Sequence, residues 1–136
     1  MAYKFVDYKV QKATFSLTPD IAPNRNYKIS PKIGCNIRRG GNRLVCIFNV
    51  DLIKGEEPIP FEFSLIGAGT FILDEGEDAS AITVKVAEAV YPFVRQSVAA
   101  LTQLANIPPY VLPILNMEDV LSSAKRVTLT VPNGLN

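Results

Sequence analysis

The chain has 136 residues, a formal net charge of +1 and no histidine. Apolar residues make up 48% of it and charged residues 20%, which excludes a disordered chain and fits a single domain over residues 1–136. The near-zero charge argues against a nucleic-acid-binding protein. We expect neither a signal peptide nor a membrane-spanning helix, because charged residues and Pro92 interrupt the longest apolar stretch, 79–105. The predicted location is the cytoplasm.

The first half of the chain alternates between apolar and polar residues with a period of two, which is typical of half-buried strands. Four such segments follow one another: 3–17, 27–37, 43–53 and 59–73. They predict a four-stranded antiparallel meander. In the first strand the apolar phase changes near Gln11, and a β-bulge there would bring both halves onto one face. Pro31 predicts an edge or irregular position in the second strand.

Two cysteines lie on the predicted second and third strands. A two-residue hairpin turn at Gly40 and Gly41 would place Cys35 opposite Cys46. That site would be a hydrogen-bonded pair, where the two side chains are further apart than at the alternate sites. Because a cytosolic chain also keeps its thiols reduced, we expect two free, buried thiols rather than a disulfide.

The second half of the chain predicts helices. The acidic segment 74–78 precedes an apolar run, as is usual at a helix N-terminus. Pro92 should divide that run into a short helix before about Tyr91 and a main helix that ends near Ala105. The main helix is apolar nearly all round, so one sheet would cover only one of its sides. A second copy of the chain is expected to cover the other side.

A proline-rich crossover follows the main helix. Residues 105–117, ANIPPYVLPILNM, are almost wholly apolar but contain three prolines, so they predict neither helix nor strand. One interpretation is a stiff wall that binds apolar segments of other chains. The other is a segment that simply packs on the sheet. Asn116 is a suitable N-cap for a short C-terminal helix, and residues 126–131 predict a last strand before a turn.

Nothing in the sequence predicts an enzyme. The chain lacks histidine, the commonest general base and metal ligand, and its two cysteines are too few for a zinc site. The segment GAGTF at 67–71 lies within a strand pattern and does not open a helix, unlike a phosphate-binding loop. We therefore expect no catalytic residue, no metal and no cofactor.

The order and spacing of these elements resemble the SecB family of tetrameric protein-export chaperones. The resemblance covers roughly residues 58–121. The positions that match the motifs of that family are Phe61, Gly69 and Phe71 on the strand, Tyr91, Pro92 and Arg95 on the helix, and Pro108, Asn116 and Met117 in the crossover.

The resemblance implies an ATP-independent holdase that binds unfolded, export-bound polypeptides in apolar grooves. It also implies a homotetramer, built as a dimer of dimers with the main helices packed between two sheets. The expected client-binding residues are Phe61, Phe63, Leu65, Ile107, Tyr110, Val111 and Leu112. The residues expected at the oligomer interface are Phe93, Val98, Leu101 and Leu104.

Two features depart from the family pattern. Family members bind the translocation motor SecA through an acidic sheet surface and a C-terminal tail. The predicted polar face of the sheet is basic here, with Lys28, Lys32, Arg38 and Arg43 against Asp51 and Glu62. The C-terminal segment 124–136 also departs from that pattern, since it is neither acidic nor convincingly helical. SecA is therefore a doubtful partner. A SecB-like chaperone dedicated to a toxin–antitoxin pair is one alternative, and a small-ligand carrier with an apolar pocket between sheet and helices is another.

Overall fold

The computed structural model describes residues 3–19, 27–76, 78–122, 125–126 and 129–131. The strands are β1 (Tyr3–Leu17), β2 (Tyr27–Ile29), β3 (Lys32–Gly40), β4 (Arg43–Leu52), β5 (Phe61–Leu73), β6 (Lys125–Arg126) and β7 (Leu129–Val131). A 3-10 turn, Ala79–Ala81, leads into α1 (Thr83–Leu104), and α2 (Met117–Ser122) follows the crossover. This architecture is the predicted α+β class.

The main sheet is antiparallel, with the strand order β1-β5-β4-β3-β6, and β2 pairs with β7 in a separate sheet. Strands β3, β4 and β5 form the predicted meander. The first strand departs from it, because β1 pairs with β5 at the opposite edge rather than with the strand that follows it. Alternation reports which face of a strand is buried, but it does not specify which other strand lies beside it.

The register of β1 shifts twice against β5. The shift between Val10 and Lys12 confirms the bulge predicted near Gln11, and a further shift lies between Phe5 and Asp7. The shift between Val10 and Lys12 puts Phe15 on the same side of the sheet as Tyr8, although an odd separation of seven residues would otherwise place them on opposite sides. We call this side, which faces α1, the inner face of the sheet and the opposite side the outer face.

The second predicted strand is divided at Pro31, which cannot donate a ladder hydrogen bond. Lys28 therefore belongs to β2 in the small sheet and not to the polar face predicted for the main sheet. In the hairpin that follows, Gly41 has a φ of 62° and forms the turn together with Asn42, so that Gly40 pairs with Arg43. Because two glycines are adjacent, the sequence alone does not determine which two residues form the turn.

The register of the hairpin is consequently two residues away from the predicted one. Cys46 lies opposite Ile37, and Cys35 lies opposite Phe48. The predicted pairing of Cys35 with Cys46 is wrong, but the two side chains are diagonal neighbours on the inner face. Their sulfur atoms are 3.5 Å apart, and both cysteines are free.

Helix α1 runs through Pro92 without a break, so the predicted division into two helices is wrong. Pro92 is exposed, whereas residues on both sides of it are buried at a spacing of four: Val86, Val90, Val94 and Val98. Burying this continuous row against the sheet offsets the hydrogen bond that proline removes. The helix of 22 residues is therefore about 33 Å long.

The acidic segment does not cap α1 itself, which begins at Thr83 without a side-chain cap or an acidic residue in its first turn. Asp78 caps the 3-10 turn, since its carboxylate accepts hydrogen bonds from the backbone N–H and the hydroxyl of Ser80. These bonds lower the pKa of Asp78. Asn116 accepts from the N–H of Glu118 at 2.9 Å, which confirms the N-cap of α2. The single last strand predicted over 126–131 is instead two short strands in different sheets, β6 beside β3 and β7 beside β2. The turn predicted after it lies outside the described residues.

Candidate functional site

The crossover begins where α1 ends in a tight reversal. Asn106 has a φ of 61°, a left-handed conformation that asparagine tolerates better than most residues. The N–H groups of Asn106 and Ile107 bond back to the carbonyls of Gln103 and Thr102 in the last turn of α1. The chain then returns along α1 in an irregular, proline-stiffened path toward α2.

Three hydrogen bonds tie this path to α1. The Tyr91 hydroxyl donates to the carbonyl oxygen of Pro113 at 2.6 Å, and Arg95 Nε donates to that of Leu112 at 2.9 Å. The N–H of Tyr110 donates to the hydroxyl of Thr102 at 2.9 Å. Burial raises the pKa of Tyr91 to about 12, although the positive charge of Arg95 acts to lower it. The phenol is therefore a hydrogen-bond donor at neutral pH. The crossover therefore has a defined position without being helix or strand.

Thr102 helps to position the crossover, although the sequence did not single it out. It is buried, and its hydroxyl also donates to the Ala99 carbonyl at 2.8 Å. A threonine in an apolar helix resembles ordinary helix surface, and its partner is eight residues along the chain. The only sequence signal for this bond is the short separation of the two residues, because Thr102 lies in the last turn of α1 and Tyr110 follows the reversal.

The client-binding residues predicted from the resemblance fall into two layers. Phe61, Phe63, Leu65, Tyr110 and Leu112 are buried in the core. The Tyr110 ring lies 5.8 Å from that of Phe61 and 6.4 Å from that of Phe63, measured between centroids. Burial raises the pKa of Tyr110, whose hydroxyl has no hydrogen-bond partner among the described residues. These residues form a floor rather than a surface.

The second layer faces outward. Ile107 is half-buried, whereas Val111 is 52% exposed and lies between the buried Tyr110 and Leu112. Ile114, which was not among the predicted residues, is 86% exposed. Val111 alternates with its two buried neighbours, as side chains do along an extended backbone. Ile114 does not follow this alternation, since it has the parity of Tyr110 and Leu112. The crossover thus presents exposed aliphatic side chains above an aromatic floor.

A second apolar surface lies where α1 meets β1. Phe93 stacks on the rings of Phe5 and Tyr8, at centroid distances of 5.4 and 5.3 Å. The Tyr8 hydroxyl is 2.9 Å from that of Ser97. Burial raises the pKa of Tyr8. Val10, on the same face of β1, is exposed, so α1 covers only part of this strand.

The predicted interface residues on α1 do not share one side of the helix. Phe93 and Leu104 are exposed, Leu104 by 85%, and Leu101 is half-buried. Val98 is 0% exposed and packs on the inner face of its own sheet. It has no surface left for a second copy, so its place in the predicted interface set is corrected. At 100° per residue, Phe93 and Leu104 lie within about 20° of each other on α1, whereas Val98 points about 120° away from Leu104. An all-round apolar helix conceals this difference in the sequence.

The described residues include no arrangement of side chains that would hold a metal ion: no group of three or more His, Cys, Asp or Glu lies close together. Neither of the helices described has the length and the apolar character that a bilayer crossing requires. The neighbouring Cys35 side chain and burial both raise the pKa of the Cys46 thiol, so Cys46 stays protonated at neutral pH.

No protein-family model matches the sequence, and no curated protein matches it. Among solved structures, the chain is similar to Rv1957 of Mycobacterium tuberculosis, a SecB-like chaperone in complex with a ChAD peptide from the Rv1956 HigA1 antitoxin. The TM-score is 0.69 at 18% identity, over 84% of this chain and 91% of that chain. The chain has a SecB-like fold. A protein of unknown function from Streptococcus agalactiae also matches, with a TM-score of 0.47 and 11% identity over 82% of this chain and 97% of that chain.

The motif residues have separate structural tasks in this SecB-like fold. Gly69 lets α1 approach the sheet, because a Cβ at this position would lie 2.5 Å from Val90 Cγ2. Arg95 and Tyr91 hold the crossover, and Asn116 ends it. These residues position the helix and the crossover.

Proposed function

We propose that this chain is an ATP-independent holdase chaperone that binds unfolded polypeptides on the exposed side of its crossover. The observation that carries the proposal is an aliphatic surface, Val111 and Ile114, on a backbone that prolines and three side-chain hydrogen bonds hold in place. A stiff apolar surface loses little conformational entropy when an extended chain docks on it. It also requires no nucleotide or reactive group.

The proposed client site has a contact layer and a support layer. Ile107, Val111 and Ile114 would touch the client. The buried residues of the predicted set, Phe61, Phe63, Leu65, Tyr110 and Leu112, would support them from beneath. This division keeps the predicted site but changes the expected effect of mutation, because truncating the support layer destabilises the fold before it weakens binding.

We also propose self-association through the second apolar surface, with two dimers forming a tetramer. Phe93, Leu101 and Leu104 on α1 and the exposed inner face of β1 are the residues that a second copy would cover. Support comes from the exposure of Leu104 and Val10, which a monomer would leave in water. β1 is also an edge strand of 15 residues, and such edges are usually paired or protected.

Two classes of client are compatible with the proposed chaperone function. An export chaperone would bind precursors on their way to a translocation motor, and a dedicated chaperone would bind one antitoxin. The antitoxin peptide bound to the similar M. tuberculosis chaperone favours testing the second class of client first. The small-ligand carrier has less support, because aromatic rings fill the space between sheet and α1, with Phe48 and Tyr91 5.6 Å apart.

The experiment that tests the proposal removes only the contact layer. In Val111→Ser/Ile114→Ser, two exposed aliphatic side chains become polar, so the thermal melting temperature should stay within a few degrees of the parent. Binding of a reduced, alkylated and fluorescently labelled protein should weaken several-fold, since losing one or two anchors costs about 1–3 kcal/mol. Ile53→Ser/Ile72→Ser is the matched control, because it removes two exposed isoleucines away from the crossover.

Client affinity that is unchanged in the folded crossover variant would refute the binding surface. An equal loss in the control would show that binding depends on overall apolarity and not on the crossover. Native mass spectrometry of the parent protein provides the second readout, since a tetramer supports the chaperone and a monomer that copurifies with one small molecule supports the carrier.

A further inference from the structure

The outer face of the main sheet carries a charge pattern that the proposed function does not use. The register of the strands places six cations on this face: Lys4, Lys9, Lys12, Lys32, Arg38 and Arg43. It places three carboxylates there: Asp7, Asp51 and Glu62. The surplus of cations exceeds the net charge of +1 of the whole chain, so the remainder of the molecule is acidic on balance. Charge is therefore segregated onto this face.

Five of the six cations lie on the two strands that flank the centre of the outer face, and Arg43 lies at the end of the central strand β4. The centre is largely apolar toward that end, whereas Asn49, Asp51, Glu62 and Ser64 make its other end polar. Lys4, Lys9 and Lys12 lie on β1, and Lys32 and Arg38 lie on β3. Between them, the central strands β4 and β5 present their aliphatic side chains to the outer face: Val45, Ile47, Ile66, Ala68 and Ile72. Three strand spacings separate β1 from β3, a width of about 14 Å, which accommodates one extended or helical segment.

The cations are available for a partner. Lys9 lies 3.7 Å from Asp7 in an exposed ion pair, and the Asp51 carboxylate accepts a short hydrogen bond from the Ser64 hydroxyl. Within the part of the chain that is described, Lys12, Arg38 and the other cations of this face form no such pair. All six cationic side chains are exposed, and among the described residues only Lys9 of the six forms an ion pair.

We propose that the outer face is a docking surface for an acidic protein segment that also carries apolar side chains. Cations on β1 and β3 would attract and orient its carboxylates, and the central strip would bury its apolar residues. A nucleic acid fits less well, because none of the described residues on the outer face has an aromatic side chain on which a base could stack. This surface is on the side of the sheet opposite α1, so it is separate from the proposed client site.

The test uses the full chain and defined probes. A fluorescent amphipathic peptide of about 18 residues, with a stripe of leucines flanked on both sides by glutamates, spans about 27 Å as a helix. It is long enough to cover the strip, which runs about 20 Å along β5 from Ile66 to Ile72. Its anisotropy should rise in a saturable way at low salt, and binding should weaken as salt is raised. A peptide with lysine at each glutamate position should not bind.

Reversing the charge of one cation on β1 and one on β3 tests whether the peptide binds to the outer face of the sheet. Lys12→Glu/Arg38→Glu should weaken binding of the acidic peptide at least about tenfold, because two attractions become repulsions. Lys54→Glu/Lys85→Glu is the control, since it makes the same change in net charge at exposed positions elsewhere and should stay within about twofold of the parent. Ile47→Thr, which keeps a branched side chain on the strip, should weaken binding several-fold.

Four results would overturn the proposal: no saturable peptide binding, an equal loss in the control variant, an unaffected Ile47→Thr, or tighter binding of single-stranded DNA or phosphatidylserine vesicles than of the peptide. Binding of the unfolded client should be unchanged in Lys12→Glu/Arg38→Glu. Failure of the docking surface is thereby distinguished from failure of the chaperone function.

Discussion

Gly69 is the position where the contact between sheet and helix is most sensitive to a single methyl group. A Cβ at this position would lie 2.5 Å from Val90 Cγ2 and 3.3 Å from Val90 Cγ1. Gly69 pairs with Cys46 on one side and Tyr8 on the other, so its backbone is held within the sheet. Val90 is buried within the row that packs α1 on the inner face. Gly69→Ala would therefore push α1 away by about 1 Å or force Val90 out of its rotamer.

Overpacking of this kind costs about 1–3 kcal/mol. A chain of 136 residues loses about 0.3 kcal/mol of stability per degree near its midpoint, so the melting temperature should fall by about 3–10 °C. Val90→Ala alone should also destabilise, because it leaves a cavity. In the double variant the new methyl group occupies part of the space that Val90 vacates. The two costs should then be less than additive by about 1–2 kcal/mol.

Thermal and urea denaturation of the four proteins in this double-mutant cycle measures the coupling. Gly34→Ala is the matched control in the same sheet, since nothing lies within 4 Å of its Cβ position and its φ is not positive. It should be neutral or slightly stabilising, because glycine costs about 0.5–1 kcal/mol in a strand. Additive effects of Gly69→Ala and Val90→Ala would refute the reasoning, as would a Gly69→Ala variant as stable as Gly34→Ala.

Three further predictions concern the crossover anchor, the cysteines and the assembly. The raised pKa of Tyr91, about 12, means that folding favours the neutral phenol, so stability present below pH 10 should be lost as the pH rises toward 12. At pH 8, Tyr91→Phe should be about 1 kcal/mol less stable than the parent, because it lacks the hydroxyl hydrogen bond. In thermal melts across this pH range, the variant should lose less stability than the parent as the pH rises. An equal loss of stability in both proteins would contradict this prediction. Alkylation of the denatured, unreduced protein should label both Cys35 and Cys46, whereas a mass deficit of two hydrogens without label would reveal a disulfide. Leu104→Asp should lower the mass of the assembly in light scattering, while its circular dichroism spectrum remains that of a folded chain. Val98→Asp should instead unfold the chain. An unchanged mass for a folded Leu104→Asp variant would exclude the Leu104 side of α1 from the interface.

Much of the chain could be read from local pattern. The bounds of β1, the bulge near Gln11, the N-cap at Asn116 and the α+β class all follow from alternation, phase and capping chemistry, which act over a few residues. The order of the glycine-bearing strand, the helix with Arg95 and the proline-rich crossover also resembled SecB, and the fold agrees with that resemblance.

Tertiary structure decided what depends on distant partners. Alternation cannot say that β1 pairs with β5, nor that two glycines place the turn at Gly41 and shift the cysteines by two residues. Helix propensity alone predicted a break at Pro92, but burial of a continuous row on the sheet outweighs one missing hydrogen bond.

The same distinction applies to the candidate site. The sequence by itself marked the crossover as apolar and stiff, because composition and proline content are local properties. Only the fold separated its residues into a buried floor and an exposed surface, since burial depends on which side of an irregular backbone meets the sheet and α1. Val98 and Leu104 are both apolar residues of one helix, yet the sheet covers the first and leaves the second in water.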